Sequence, residues 1–367
     1  MSDLRVTKLA NVLVNYSLEI KPGQKFRITA SPLASELTLA VYEEAIKAGA
    51  HVLIDQPLDE AQEIFYKLAS DEQLDFVSPV EKIIIDTFDA TLYIGASSNS
   101  HLLSGVDPQR IARNNEANTE LMKTFMERSA RGELHWCVTI YPNNANAQDA
   151  DMSLRDYTEF VFGAGMLNED DPAILWKAVG KRQNNLVDWL KGHNSAILKG
   201  SNIDLTLSIK ERTFISADGK ANFPDGEIFT GPVENSANGW VRFKYPAIYM
   251  GQEITDIELW FEDGKVVKEK ASKNQELLTS NLNTDIGARY LGEWGIGTNY
   301  GITKFTKNML FDEKIGGTIH LAVGASFPET GGKNESALHW DMLCDMAESE
   351  VTIDGDLFYK DGKPVIG

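Results

Sequence analysis

The hydrophobic period of this chain changes near residue 193, and few folds accommodate both halves. Up to that point helical and strand-like segments alternate. Residues 3–18 carry Leu4, Leu9, Val12 and Leu13 at helical spacing, "KPGQ" makes a turn, and "KFRITA" has the composition of a strand. A second helix is expected over Leu33 to Ala48, with Gly49 as its left-handed cap. The strand "HVLID", the helix "DEAQEIFYKLA", the strand "ATLYIGA", a helix opened by Asp107-Pro108 and the strand "HWCVTIYP" continue the series. Two helices close it. One starts at Ser153, with Asp156 three residues on as in a capping box, and one runs from Asp171-Pro172 to about Gly192. Repeated helix–strand units predict a mostly parallel sheet covered by helices.

Beyond residue 193 the grammar is that of hairpins. "DIELWFEDGKVVKEKA" alternates Ile257, Leu259 and Phe261 with polar or amphipathic neighbours around an Asp263-Gly264 turn, and "DGDLFYKDGKPV" repeats the device. One helix, "NQELLTSNL", interrupts the strands, so this half is α+β. The expectation is an α/β plus α+β chain with two domains, residues 1–193 and 194–367. A length of 367 residues, more than one ordinary core holds, agrees with two.

A formal net charge of -19 would repel nucleic-acid phosphates and anionic membranes, so neither is an expected partner. No apolar run is long enough to span a bilayer, and the N-terminal stretch lacks the apolar core of a signal peptide. Cys137 and Cys344 make no disulfide framework and no CxxC motif. A cytoplasmic setting follows as the expectation, with the sequons at Asn15 and Asn334 chance matches.

The first half contains no G-x-G-x-x-G after a strand and no G-x-x-x-x-G-K-[ST], and the chain has no H-E-x-x-H. Of six histidines, His51, His101, His135 and His193 lack a repeated acidic partner and read as packing or surface residues. His320 in "GTIHLAVGASF" and His339 in "ALHWDML" sit in two expected strands of the second half. Strand side chains two residues apart share a face, so His339 and Asp341 project together. That pair suits either a structural histidine held by an acid or two ligands of a metal. Three acids in apolar surroundings favour the metal: Glu227 before the strand in "NFPDGEIFTGP", Glu293 between glycines in "RYLGEWGIGTN", and Glu313 seven residues before His320. Lysine and arginine are scarce in these segments, and a buried acid needs a positive partner. Mixed carboxylate and imidazole ligation suits zinc, cobalt or manganese.

At these residues the chain resembles the thermophilic-type dinuclear metallo-aminopeptidases. Four blocks carry the likeness: "NFPDGEIFTGPVE", "TDIGARYLGEWGIGTN", "LFDEKIGGTIHLAVGASFPETGGKN" and "ALHWDMLCDM". The likeness continues through "KLANVLVNYSLEIKPGQK" to nearly the whole chain. It implies an N-terminal α/β domain, a β-rich C-terminal catalytic domain, a homodimer, peptide substrates and two divalent ions per chain. By motif it implies the ligands Glu227, Glu293, His320, His339 and Asp341. Glu293 would be the carboxylate shared between metals and the catalytic base. Glu313 corresponds at a spacing unlike that of better-known members. Where the family carries a tyrosine, this chain has Phe327, which cannot donate a hydrogen bond.

Three readings follow. In the first, two cations activate a water that hydrolyses the N-terminal peptide bond. In the second, His320, His339 and Asp341 hold one iron, as in ring-cleaving dihydroxypyridine dioxygenases; Glu227 and Glu293 argue against it. In the third, Phe327 marks a homologue that binds metal or peptide with impaired chemistry.

Overall fold

Four strands of the first half lie parallel: β1 (Lys25–Ala30), β2 (His51–Asp55), β3 (Ala90–Gly95) and β4 (His135–Ile140). A short fifth strand, β5 (Asn222–Phe223), joins them from far along the chain, and the order is β2-β1-β3-β4-β5. The structure is a computed structural model and describes residues 3–249 and 251–366. The parallel sheet expected from the helix–strand alternation is present. Its helices begin where their capping residues stand. Asp3 accepts from the Arg5 amide at the start of α1 (Leu4–Val12). Helix α2 (Ser35–Lys47) is followed by Gly49 at φ +86°, as its left-handed cap requires. Ser78 caps α3 (Pro79–Thr87), and Ser153 caps α4 (Leu154–Ala164) by accepting from the Asp156 amide.

The chain forms two units, Met1–Ala173 with Gly219–Pro224 and Ile174–Asp218 with Asp225–Gly367. Two segments lie elsewhere than their place in the sequence suggested. Residues 219–224, read with the second half, supply β5 to the first unit: Thr139 donates to the Phe223 carbonyl (2.7 Å), and Phe223 is buried. The long helix α5 (Pro172–Leu190), read as the end of the first half, puts Leu186, Val187 and Leu190 into the core of the second unit. Its apolar face decides its allegiance.

Among the described residues the second unit has an eight-stranded sheet, a five-stranded sheet and a two-stranded one (Ala247–Tyr249 with Gln252–Ile254), all neighbours antiparallel. The Asp-Gly turns behave as expected: Asp263 and Gly264 have φ +47° and +81°, and Asp361 and Gly362 have +47° and +78°. Two successive positive φ values are what a tight two-residue hairpin needs. The five-stranded sheet runs β9-β8-β7-β6 and ends on Ile215–Ala217. Its members are β6 (Glu227–Thr230), β7 (Leu291–Gly297), β8 (Thr318–Gly324) and β9 (His339–Asp345). One face enters the core through Ile228, Trp294, Ile296, Ile319, Leu321, Val323, Trp340 and Met342. The alternate residues form the other face.

Candidate metal centre

Strand alternation places Glu227 and Phe229 of β6, Glu293 and Gly295 of β7, His320 and Ala322 of β8, and His339 and Asp341 of β9 on the face away from the core. Register then aligns them. Gly295 lies between Phe229 and His320, Ala322 between Glu293 and Asp341, and His339 opposite Gly324. A bulge in β7 makes this possible. Leu291 pairs with Val323 and Glu293 with Ala322, so Gly292 is an extra residue and the phase of the strand changes there. Leu291 can therefore enter the core while Glu293, two residues on, faces the site. Gly292 must lack a side chain, because a Cβ would lie 2.3 Å from the Ala325 carbonyl oxygen.

Glu293 lies between the two histidines. Its Oε1 is 3.2 Å from His320 Nε2 and its Oε2 is 3.3 Å from His339 Nε2. Glu227 Oε2 is 3.3 Å from His320 Nε2, and Asp341 Oδ2 is 3.4 Å from His339 Nε2. Two ligand-like triads result: Glu227, Glu293 and His320, then Glu293, His339 and Asp341, each with its donor atoms within 4.8 Å of one another. Both imidazoles are oriented from behind. His320 Nδ1 donates to the Glu313 carbonyl (3.1 Å) and His339 Nδ1 to the Ala325 carbonyl (2.8 Å). A carbonyl only accepts, so each Nδ1 holds a proton and each Nε2 is presented to the site, the arrangement that histidine ligands to metals adopt.

The electrostatics ask for positive charge. Burial lifts the Glu227 carboxyl to about 8, although Lys314 opposes the shift. Burial alone would lower His320, but Glu227 and Glu293 overcome it and raise the imidazole to about 10. His339 rises to about 11 against burial, through Asp341 and Glu293. Asp341, although buried, is held below the usual carboxylate range by His339. Two buried oxygens, Glu227 Oε2 and Asp341 Oδ1, accept no hydrogen bond. Unsatisfied carboxylate oxygens beside inward-facing Nε2 atoms fit divalent cations.

The structure brings together five of the six residues singled out in the sequence. Glu313 belongs to neither triad. Its carboxylate pairs with the ammonium of Lys314, and its carbonyl holds His320. Lys314 was missed, although it is adjacent to Glu313. Its side chain is fully buried and also approaches Glu227 Oε1 (3.3 Å) and Asp225 Oδ1 (3.9 Å). Phe327 packs edge-on against the His339 ring, with centroids 5.0 Å apart, and against Phe229 at 5.6 Å. The remaining histidines stay away from the site: His51 and His135 are exposed, His101 lies 4.0 Å from Asp149, and His193 stacks on Trp189.

An antiparallel sheet presenting two triads that share a carboxylate defines a class of site able to hold divalent metal ions. The chain belongs to the thermophilic metalloprotease (M29) family, which it matches over residues 2–365. It is 28% identical to aminopeptidase 2 of Geobacillus stearothermophilus over 97% of this chain and 94% of that one. It is 26% identical to aminopeptidase AmpS of Bacillus subtilis (strain 168), over 96% and 94%. Its fold matches that of wild-type AmpT from Thermus thermophilus with a TM-score of 0.85, over 99% of both chains at 24% identity.

Proposed function

We propose that the protein is an aminopeptidase that removes N-terminal residues from peptides at a two-metal site. The observation that carries this reading is Glu293, whose two carboxylate oxygens serve two different histidines at 3.2 and 3.3 Å. Charge supports the number of ions. When all are ionised, as ligands must be, Asp225, Glu227, Glu293, Glu313 and Asp341 would supply five negative charges, of which Lys314 answers one. With neutral imidazoles, two divalent cations balance the remainder. Zinc, cobalt and manganese all suit the donor set. Glu227, Glu293 and His320 would hold one ion, and Glu293, His339 and Asp341 the other.

Divalent ions at such a site lower the pKa of a water and polarise the scissile carbonyl. Glu293 accepts the water proton and passes it towards the departing amine. A carboxylate has about four lone-pair sites, so facing both triads still leaves it acceptor capacity. The surplus of carboxylates also suits the α-ammonium group of a peptide. Phe327 offers the developing oxyanion no hydrogen bond. The single-iron alternative is disfavoured by geometry, since His320 falls in one triad and His339 with Asp341 in the other. A homodimer and a reducing, cytoplasmic setting belong to the same proposal; Cys137 and Cys344 are both free, buried thiols.

The test is metal content and turnover of the reconstituted protein. Two zinc, cobalt or manganese ions per chain and cleavage of aminoacyl substrates are expected, with turnover lost in Glu293→Gln. Absence of bound divalent ions, or full peptidase turnover in Glu293→Gln, would overturn the assignment.

A further inference from the structure

One face of α5 looks into a cavity that the metal chemistry does not use. Val179, Arg182, Gln183 and Leu186 stand at i, i+3, i+4 and i+7 on that helix, so they share a face. Opposite them lie Thr298 and Tyr300, just beyond β7, and Pro364 and Ile366 at the end of the C-terminal hairpin. Together they enclose about 340 Å³, at the small end of the range for ligand pockets, about 300–1,000 Å³. All of these residues belong to the second unit. Tyr300 is fixed in its wall. Its hydroxyl donates to the Gly362 carbonyl (2.9 Å), and its ring takes the space that a side chain at Gly316 would need, since a Cβ there would lie 2.5 Å from Cδ1.

The lining is mostly apolar, and its charge runs against that of the chain. Gln183 is buried with its polar atoms engaged: Nε2 donates to the Ala217 carbonyl (3.2 Å) and to Thr298 Oγ1 (3.0 Å), and Oε1 accepts from Ser216 Oγ (2.8 Å). The charged residues on the lining are both cations, Arg182 and Lys363, and neither side chain meets a carboxylate among the described residues. In a chain with 54 acidic and 35 basic residues, two unpaired cations around an apolar cavity without an acid in its lining select an anion. Inorganic phosphate or sulfate, hydrated on every side, gains nothing from the apolar walls. A carboxylate on an apolar tail satisfies both parts of the cavity. The Arg182 guanidinium holds such a head through two parallel hydrogen bonds, and the tail covers Val179, Leu186 and Ile366.

We propose that this cavity is a second ligand site, for a small monocarboxylate with an apolar tail, its head on Arg182 and Lys363 and its tail between α5 and the C-terminal hairpin. The proposal stands independently of the chemistry at the metal centre. Titration calorimetry of octanoate into the full, metal-reconstituted chain tests it, with octan-1-ol and octylammonium for comparison. Octanoate is expected to fill one site per chain that Arg182→Met and Lys363→Met each weaken by about tenfold, the worth of one charge-assisted hydrogen bond. Both positions are exposed, so these changes leave the core intact. Val179→Trp is expected to fill the cavity and abolish the site. Metal content and turnover of a leucyl anilide should stay unchanged in all three variants. Octan-1-ol should bind roughly tenfold more weakly or worse, and octylammonium not at all. If Val179→Trp fails to fold, the two methionine variants decide. An absent octanoate site would overturn the proposal, as would equal binding of octan-1-ol. So would an affinity indifferent to both methionine variants, which would put the anion on the metal ions or on other apolar surface.

Discussion

Replacing Gly295 by alanine adds one methyl group at the point where the metal-binding face is most crowded. Gly295 lies on β7 directly across from His320, and a Cβ there would come 1.9 Å from His320 Nε2, 2.0 Å from Cε1 and 2.8 Å from Cδ2. Ordinary van der Waals contact begins at 3.4 Å, so the ring must retreat by about 1.5 Å. It has little room: His320 is 1% exposed, and its Nδ1 is bonded to the Glu313 carbonyl at 3.1 Å. Retreat breaks that bond and withdraws Nε2 from Glu227 and Glu293. Overpacking of this kind costs about 1–3 kcal/mol of stability. Displacing a reacting group by about 1 Å costs roughly a hundredfold in turnover.

The measurements are urea unfolding, metal content after dialysis against cobalt, and turnover of a leucyl anilide. Gly295→Ala should unfold cooperatively at lower urea. It should keep the ion of the His339 triad, lose most of the other and fall at least a hundredfold in turnover. The matched control is Gly163→Ala in α4, where a Cβ meets nothing within 4 Å. A helix prefers alanine to glycine by up to about 1 kcal/mol, so the control should be neutral or slightly more stable. Two tightly held ions and near-normal turnover in Gly295→Ala would show that His320 does not occupy the ligand position assigned to it.

Three further outcomes follow from the same structure. Glu269 grips Arg289 with both oxygens (3.0 and 3.1 Å), so Glu269→Gln should cost about 1–2 kcal/mol at neutral pH. The hydrogen bond from Arg289 holds Glu269 below its ordinary pKa. Its contribution is therefore present above the unfolded value of about 4.3 and lost as pH falls through the folded one; a wild-type-to-variant difference that stayed constant down to acid pH would contradict this. Cation binding must displace the protons that His320 (about 10), His339 (about 11) and Glu227 (about 8) hold near neutrality, so near pH 7 it should release about three protons per chain and strengthen as pH rises. Titration calorimetry in buffers of different ionisation enthalpy reads that number, and zero release would refute it. Phe327→Tyr restores a phenol beside His339 and should raise kcat about tenfold or more at unchanged metal content; equal rates would mean the phenol has no part in turnover here.

The first unit was legible because each strand is punctuated. Asp107-Pro108, Gly49 and Ser153 mark helix ends on mechanisms that operate locally, and the structure places caps or starts at all three. The face of the metal site was less legible. All seven residues of β7 and all seven of β8 are buried, so hydropathy does not alternate along either strand. His339 and Asp341 could be placed on one face by period two alone, but Leu291 and Glu293 obey the opposite rule because of the bulge at Gly292. A glycine on each side of a buried acid was the visible trace of that bulge. The allegiance of α5 and of residues 219–224 depends on which core receives their apolar side chains, a long-range fact that helical period does not carry.

Lys314 changes the force of the argument from buried acids. Those acids pointed to a metal because cations looked scarce around them, yet Lys314 stands next to Glu313 and is fully buried. Its ammonium serves Glu313, Glu227 and Asp225, and against the cost of burial these carboxylates hold it charged. Had the site consisted of those residues alone, an internal lysine would account for it. Glu293 and Asp341 are the residues it leaves over. Their positive neighbours are two imidazoles, which must both be protonated at neutral pH to do the work of a cation. Each imidazole already spends its Nδ1 proton on a backbone carbonyl, so a second proton on Nε2 places two full charges 3.2–3.4 Å from carboxylates in a water-poor interior. Neutral imidazoles and divalent ions satisfy the same oxygens with ligand bonds to the Nε2 atoms in addition. The case for metal therefore rests on Glu293 and Asp341 more than on the number of acids.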